Sequence, residues 1–225
     1  MLAFKLLNYA SEDTWLGRVF LIRHGQVEWN AKNSYIGSTD LPLDHIGFKQ
    51  ADLLAQYLAT REIAKVYSSD LLRARQTADL IATRLEVPLV LCRELRELSY
   101  GAWEGVPESE VARLYPDHYS RWLVEPFCVQ IPEGEHLSEF QNRVLPAFQH
   151  IATENREHDI AIVAHKTTNR LILAYLLGMD LNRYRQIGQN NACVNIVFIR
   201  EDGSMSVETI NDTCHLMSGC LEETV

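Results

Sequence analysis

The sequence contains few features that would point to a metal, a membrane span or a nucleic-acid partner. Its five cysteines are scattered and include no C-x-x-C pair, so a zinc or redox site of that kind is not indicated. The motifs H-E-x-x-H and H-x-H are also missing, which argues against metal catalysis with the spacings that zinc enzymes use. No run reaches the roughly 18 to 20 uninterrupted apolar residues that a membrane helix requires.

Basic residues are also in short supply. The chain has 21 Lys and Arg against 30 Asp and Glu, and its formal net charge is -9 at pH 7. Extended contacts with nucleic acid or an anionic membrane need clustered basic residues, so we expect neither partner and place any bound anion in a local basic pocket. Residues 1–17 are interpreted as an N-terminal extension and not a signal, because acidic residues follow their short apolar run. These features predict a cytoplasmic protein with reduced thiols.

Short apolar runs and helical periodicity alternate along the rest of the chain. Continuous β-branched or aromatic runs predict strands at 18–22, 64–67, 89–91 and 159–164. Apolar residues at helical spacing predict helices at 46–60, 71–85, 138–153 and 169–177, the first capped by Asp44. Pro146 predicts a kink or an early break in the third helix, and residues 195–200 and 205–210 form a predicted β-hairpin.

This alternation predicts an α/β fold, a three-layer doubly wound mostly parallel sheet with an antiparallel edge strand. We expect one domain over residues 18–212, because 225 residues with 47% hydrophobic content suit a single core. Residues 101–132 are a predicted irregular insertion with short helices, in which Trp103 and Trp122 are either core anchors or substrate walls. Residues 213–225 form a predicted C-terminal tail.

Two histidines, His24 and His165, each follow the end of a predicted buried strand. Open parallel sheets bind ligands at that edge. Arg23 precedes the first histidine. Arg73 opens a predicted helix after a turn rich in hydrogen-bond donors, and Arg75 is the competing candidate for the second arginine of the site. Two guanidinium groups and nearby helix N-termini would form a phosphate pocket in this acidic chain. A neutral imidazole there can attack phosphorus, so His24 is the predicted nucleophile.

Three further roles complete this hypothesis. The Gly25 segment is a candidate for fixing the tautomer of His24. His165, if charged, would stabilise the negative charge that spreads over the phosphoryl oxygens. Glu97, which follows a predicted strand, is the candidate proton donor to the leaving alkoxide.

These residues carry a resemblance to a known family. The segment Arg23-His24-Gly25-Gln26-Val27-Glu28-Trp29-Asn30 resembles the R-H-G-x-T-x-W-N signature of the histidine phosphatase superfamily, also called the phosphoglycerate mutase-like family. Agreement continues, in order and spacing from about Arg18 to about Arg200, through Gly37, Asp40 to Leu43, Ser68 to Ala78, Glu97, Gly101, Trp103-Glu104-Gly105 and His165.

The resemblance implies a phosphoglycerate mutase-like fold and a phosphoric monoester hydrolase of the histidine acid phosphatase type. It implies that His24 is phosphorylated and that Glu97 donates a proton. The phosphate contacts that it implies are Arg23, Asn30, Gly37, Arg73 and His165. It also implies a small-molecule phosphate ester as substrate, no metal or organic cofactor, and a homodimer as one arrangement of the protein.

Two positions depart from the family pattern. Val27 replaces the usual Thr and removes a hydroxyl group, and Lys166 replaces the usual Gly after the second histidine. Lys166 is a candidate phosphate ligand: it either changes how the backbone N–H approaches phosphate or brings a charge to a carboxylate or second phosphate. These departures keep two alternatives open, a phosphoglycerate-type mutase and a noncatalytic phosphate-binding protein. The segment Trp103-Glu104-Gly105, with Trp122 after it, favours the phosphatase branch.

Overall fold

Six strands form one mixed sheet in the computed structural model, which describes residues 15–217. The strands are β1 (Trp15–Arg23), β2 (Ile63–Ser68), β3 (Leu89–Leu91), β4 (Asp159–Ala164), β5 (Val194–Arg200) and β6 (Met205–Asp212). Their order across the sheet is β3-β2-β4-β1-β5-β6. Neighbours from β3 to β1 run parallel, whereas β5 is antiparallel to β1 and β6 to β5. The predicted mixed α/β sheet is confirmed, and its antiparallel edge is a two-stranded hairpin.

Helices cover both faces of this sheet. They are α1 (Glu28–Ala31), α2 (His45–Leu58), α3 (Leu72–Leu85), α4 (Glu108–Leu114), α5 (Pro116–Val124), α6 (Leu137–Glu154), α7 (Lys166–Leu176) and α8 (Cys214–Met217). Successive side chains of β1 point to opposite faces of the sheet and belong to different hydrophobic clusters. Val19 and Leu21 pack with α6 and α7, whereas Phe20 and Ile22 pack with α2 and α3. Because both faces of the strand are buried, its sequence is continuously apolar and does not alternate.

Two helix predictions need correction. Helix α6 is 18 residues long and continues through Pro146, so the predicted early break is wrong. Pro146 and Asn142, four residues earlier, are both exposed, so water can reach the carbonyl that the proline leaves without its helical partner. Helix α7 begins at Lys166 and not at Asn169, because polar residues in its first turn hid the helical periodicity. The Asp44 cap is confirmed, since its carboxylate accepts from Gly47 N at 2.8 Å.

The predicted insertion at 101–132 contains α4, α5 and two short 3-10 turns. Trp103 and Trp122 are fully buried in the core, with their rings in edge contact at 5.9 Å, so both are core anchors.

Strand β1 begins at Trp15, inside the predicted extension, while residues 1–14 of that extension lie outside the described residues. In the predicted tail, α8 packs His215 on Tyr57 at 5.3 Å, and residues 218–225 lie outside the described part. Within residues 15–217, none of the helices combines the length and apolar character that crossing a membrane needs.

Candidate active site

The two histidines singled out from the sequence lie side by side at the carboxyl ends of neighbouring strands. Strands β1 and β4 pair in parallel with Arg23 opposite Ala164, and His24 N donates to the Ala164 carbonyl at 3.0 Å. The next residue on each strand is therefore a histidine. The imidazole centroids of His24 and His165 are 5.2 Å apart, and both side chains are buried. Parallel pairing of two buried strands thus brings together residues that are far apart in the sequence.

The imidazole of His24 is held in one tautomer. Its Nδ1 lies 2.7 Å from the Gly25 carbonyl oxygen, so Nδ1 carries the proton and donates it, and Nε2 keeps its lone pair. Burial lowers the pKa of His24 well below its usual value, and the charges of Arg73 and Arg23 lower it further. The structure therefore presents a neutral, oriented imidazole near pH 7. Gly25 has no room for a side chain, since a Cβ there would lie 2.5 Å from the Gly47 carbonyl oxygen.

His165 is fully buried beside His24. Burial lowers the pKa of His165 well below its usual value, and the nearby Arg73 and His24 lower it further. His165 is thus neutral near pH 7 in this structure, and the charged form considered from the sequence would need an anion beside the ring. A neutral imidazole can still donate one hydrogen bond to a phosphoryl oxygen.

Arg23 and Arg73 place two guanidinium groups next to the histidines. Arg23 Nη1 donates to the Gln189 carbonyl at 2.7 Å, and Arg73 donates through Nη1 to the Thr39 carbonyl at 2.9 Å and through Nη2 to the Gly37 carbonyl at 2.8 Å. Burial lowers the pKa of each arginine to about 10, so both remain charged near neutral pH.

Several buried polar atoms of this site have no protein partner among the described residues. Within the part of the chain that the structure describes, the buried atoms without one include Arg23 Nε, Arg73 Nε and both ring nitrogens of His165. Burying an unpaired polar group costs free energy. A bound oxyanion between these side chains would accept hydrogen bonds from the two Nε–H groups and from the one ring nitrogen of His165 that carries a proton.

The loop that holds Arg73 is itself fixed by Glu104. The Glu104 carboxylate accepts hydrogen bonds from the backbone and hydroxyl groups of Ser38 and Thr39. Burial raises the pKa of Glu104, but these hydrogen bonds outweigh burial and leave the pKa below its usual value. Gly37 packs so tightly that a Cβ would lie 2.5 Å from the Leu98 carbonyl oxygen. Gly37 therefore contacts Arg73 through its carbonyl and does not line the pocket.

Glu97 lies at the N-terminus of α7 and lines the same pocket as His24. Its carboxylate accepts from Thr167 N at 2.9 Å and from Leu98 N at 3.0 Å. Arg143 donates to the carbonyls of Glu97 and Arg96 at 3.0 and 2.8 Å, and this contact fixes the backbone that carries the carboxylate. Glu97 is thus a carboxylate held in place in the pocket that the His24 imidazole also lines.

The pocket has a volume of about 290 Å³, near the small end of the roughly 300–1,000 Å³ that is typical of ligand pockets. Its polar and charged lining residues include Arg23, His24, Asn30, Glu97, Glu108, Lys166, Arg170, Arg185 and Asn191. Asn30 Oδ1 accepts from Val27 N at 3.1 Å and Asn191 Nδ2 at 3.0 Å, so the amide nitrogen of Asn30 is the atom left to meet a ligand. Val27 itself is fully buried against Leu43 and Ala51.

The sequence analysis missed Arg170, Arg185 and Asn191. One signal was available: Lys166 and Arg170 are four residues apart, which places them on one face of a helix. That signal was lost because the helix was predicted to begin at Asn169. Arg185 and Asn191 follow α7 without periodicity, and only the tertiary structure brings them to the pocket.

Comparison with known proteins agrees with this arrangement. The family model described as the histidine phosphatase superfamily, branch 1, matches residues 19–213. Phosphoserine phosphatase 1 from Hydrogenobacter thermophilus is 32% identical over 199 residues, covering 88% of this chain and 94% of that protein. A probable phosphoglycerate mutase GpmB from Yersinia pestis is 30% identical over 210 residues, covering 92% and 98%.

A solved structure supports the same conclusion. Phosphoserine phosphatase from Entamoeba histolytica, in complex with 3-phosphoglyceric acid, superposes with a TM-score of 0.80 at 25% identity, covering 89% of this chain and 99% of that one. The structural match and the family-model match therefore each cover most of this chain, and the family-model match includes the motif around His24. The family predicted from the R-H-G motif is confirmed: this chain belongs to branch 1 of the histidine phosphatase superfamily.

Proposed function

We propose that the chain hydrolyses a small phosphomonoester through a phosphohistidine intermediate on His24. The observation that carries this proposal is a neutral imidazole, oriented by the Gly25 carbonyl at 2.7 Å, beside two buried guanidinium groups whose charges depress its pKa. Such an imidazole has a free lone pair on Nε2. The two guanidinium groups supply the positive charge that phosphoryl transfer requires.

In the first step, the Nε2 lone pair of His24 forms a bond to phosphorus, and the bond between phosphorus and the ester oxygen breaks. The leaving alkoxide takes a proton from Glu97, which lines the same pocket. Arg23, Arg73 and His165 donate hydrogen bonds to the nonbridging oxygens of the phosphoryl group. The alcohol product then leaves the pocket.

In the second step, water attacks the phosphohistidine. The Glu97 carboxylate takes a proton from the water, the bond between phosphorus and Nε2 breaks, and inorganic phosphate leaves. His24 and Glu97 return to their starting states. The overall change consumes one ester and one water and yields one alcohol and one phosphate.

The finer description as a histidine acid phosphatase-type enzyme belongs to the same proposal. The lowered pKa of His24 keeps its imidazole unprotonated at mildly acidic pH, where an ordinary histidine would be charged. We therefore expect turnover to persist at pH values below the usual histidine pKa of about 6.5.

The relatives support a small metabolite as substrate. Two of them are named for phosphoserine and phosphoglycerate, and a third is solved with 3-phosphoglyceric acid. All are small phosphorylated compounds, which agrees with a pocket of about 290 Å³.

Replacing the nucleophile tests the proposal. His24→Ala should lower phosphate release from an aryl phosphate by about 10³-fold or more, because no covalent intermediate can form. His150→Ala is the matched control, since His150 is exposed on α6, pairs with Glu154 and does not line the His24 pocket. Incubation with a labelled phosphodonor should give an acid-labile label on the wild type and none on His24→Ala. Undiminished turnover by His24→Ala would refute the mechanism.

The name of the phosphoglycerate mutase relative keeps a mutase as the second candidate. A mutase uses the same phosphohistidine but returns the phosphoryl group to a bound sugar acid instead of to water. Phosphate release and isomer conversion, measured on the same phosphoglycerate sample, separate the two activities. Isomer conversion without phosphate release would favour the mutase.

A further inference from the structure

Three basic side chains that line the pocket come from outside the central strands. Lys166 and Arg170 lie on α7, and Arg185 lies in the 3-10 turn Leu181–Gln186 that follows it. We call these three residues the outer basic cluster. All three line the same cavity as His24 and Glu97, so one small molecule can meet the histidine and the cluster together.

The arginines of this cluster are held in place by neutral groups. Arg170 Nε donates to the Ile187 carbonyl at 2.7 Å. Arg185 donates to the Trp122 carbonyl, and its guanidinium lies over the Trp122 ring at 4.6 Å and over the Tyr184 ring at 5.3 Å. These contacts orient the side chains without neutralising their charge.

Carboxylates do not compensate the cluster directly. Among residues 15–217, no ion pair joins Lys166, Arg170 or Arg185 to an acidic side chain. Glu108 lines the same cavity, but its carboxylate accepts a hydrogen bond from the Tyr119 hydroxyl at 2.6 Å. Glu97 also lines the cavity and acts on Lys166 and Arg170, but only at longer range. The cavity thus holds the three basic side chains of the cluster and Arg23 against two carboxylates, in a chain whose net charge is -9.

Gathering like charges in a pocket is unfavourable unless an anion joins them. Lys166 is exposed as a residue and lines the cavity. Desolvation there, with the charges of Arg170 and Arg23, lowers the pKa of Lys166 to about 8. Burial also lowers the pKa of Arg170. A bound anion would relieve the desolvation and the mutual repulsion of both side chains.

The phosphoryl group does not account for this cluster. In the proposed mechanism that group lies against His24 and takes its hydrogen bonds from Arg23, Arg73 and His165. A second negative group on the same molecule would reach the cluster across the cavity. The volume of about 290 Å³ limits the two groups to one small molecule.

We propose that the outer basic cluster binds a second anionic group of the substrate, either a carboxylate or a second phosphoryl group. The preferred substrates are then small phosphomonoesters that carry a further negative charge a few bonds from the ester oxygen. This inference rests on the proposed function at His24, because it assumes that the phosphoryl group of the substrate lies there.

Matched substrates test the proposal. Phosphoglycolate and ethyl phosphate share the phosphoester group and differ in having a carboxylate or a methyl group at the other end. Propane-1,3-diol bisphosphate and propyl phosphate form the corresponding pair for a second phosphoryl group. The wild type should prefer the doubly anionic member of at least one pair by about 10-fold or more in kcat/KM, as expected for charge-assisted hydrogen bonds. The pair with the larger ratio identifies the anionic group.

Single substitutions connect this preference to the cluster. Arg170→Gln and Lys166→Gln should each reduce the ratio of kcat/KM within the preferred pair by about 10-fold. If a substitution slows the chemical step equally for both substrates of a pair, that effect cancels in the ratio of their kcat/KM values. Arg183→Gln is the control, because Arg183 lies in the same turn as Arg185 but is exposed and does not line the pocket. Its removal changes the net charge equally and should leave the ratio unchanged.

Binding measurements separate failure of this inference from failure of the proposed function. His24→Ala cannot form the intermediate, so calorimetry on that variant measures the affinity for both members of each substrate pair without turnover. Absence of hydrolysis and of acid-labile label would refute the function at His24, while tighter binding of phosphoglycolate would still support the cluster. Equal affinities within both substrate pairs, or an Arg170→Gln ratio equal to that of the wild type, would overturn the inference.

Discussion

The two ends of the pocket are built from different parts of the fold. At the inner end lies His24, which follows a central strand. His165 and Arg73 are fully buried near it without lining the pocket, and backbone carbonyls hold Arg73. At the outer end, Lys166 and Arg170 project from a helix, and Lys166 is exposed. The inner groups cannot change without disturbing the sheet and its loops. The outer groups can change at little cost to the core, so substrate choice can vary while the chemistry stays constant.

The electrostatics of the two ends differ in the same way. Burial lowers the pKa of Arg73 to about 10, which leaves it charged at every pH at which the protein would work. The pKa of Lys166 is lowered to about 8, so this outer charge titrates close to neutral pH. The inner end is thus a permanent cationic site, and the outer end is one that pH can weaken.

After loss of the His24 nucleophile itself, the largest expected effect comes from replacing the inner arginine. Arg73→Lys keeps the charge but loses the planar guanidinium group, whose two Nη atoms donate to the carbonyls of Thr39 and Gly37. We expect kcat to fall by about 10²–10³-fold, the usual cost of losing one transition-state donor. Arg75→Ala is the control, since Arg75 is exposed and pairs with Asp79 at 3.6 Å on the surface of α3. Wild-type kcat in Arg73→Lys would show that the inner end tolerates change as well as the outer end does.

An intermediate effect should follow from loosening the loop behind Arg73. Glu104→Gln removes the charged acceptor that joins Ser38 and Thr39. We expect kcat to fall on the order of 10-fold, because small displacements of catalytic groups are costly. Thermal unfolding should also show a loss of about 1–3 kcal/mol, typical of a disrupted buried hydrogen-bond group. Glu110→Gln on the exposed face of α4 is the control, and equal behaviour of the two variants would remove Glu104 from this role.

The smallest expected effect is a pH dependence confined to the outer end. The pKa of Lys166 lies below its usual value, at about 8, so the ammonium is charged below that pH and neutral above it. Arg170 and Arg23 face this group and lower its pKa, and Glu97 and Glu108 face it and raise it. The kcat/KM for phosphoglycolate should therefore fall several-fold between about pH 7 and pH 9, since kcat/KM reports the free enzyme.

Two comparisons check the assignment of this pH effect to Lys166. Lys166→Arg should keep its charge over the whole range, because arginine stays protonated well above the lysine pKa. Its kcat/KM for phosphoglycolate should then be flat where the wild type declines. Ethyl phosphate should show a smaller decline with the wild type, since it lacks the second anion. Parallel profiles for the two substrates would assign the titration to the inner end.

Local patterns allowed much of the fold to be predicted. The apolar runs at β1 and β4 marked buried strands, and their ends located His24 and His165. The periodicity of apolar residues and the length of an apolar run are local properties, so they can be read from the sequence alone. The same approach failed at α7 and at Pro146, because polar first-turn residues hide a helix start and an exposed proline can be accommodated by water.

The sequence by itself determined the family, the order of the strands and helices, and the pair of histidines at one edge of a parallel sheet, because motifs and periodicity are encoded in neighbouring residues. The tertiary structure alone decided that Gly37 holds Arg73, that Gln189 holds Arg23 across 166 positions of the chain, and that Arg185 faces the pocket. These contacts join segments with no common period. They exist only once the sheet has brought distant loops to one edge.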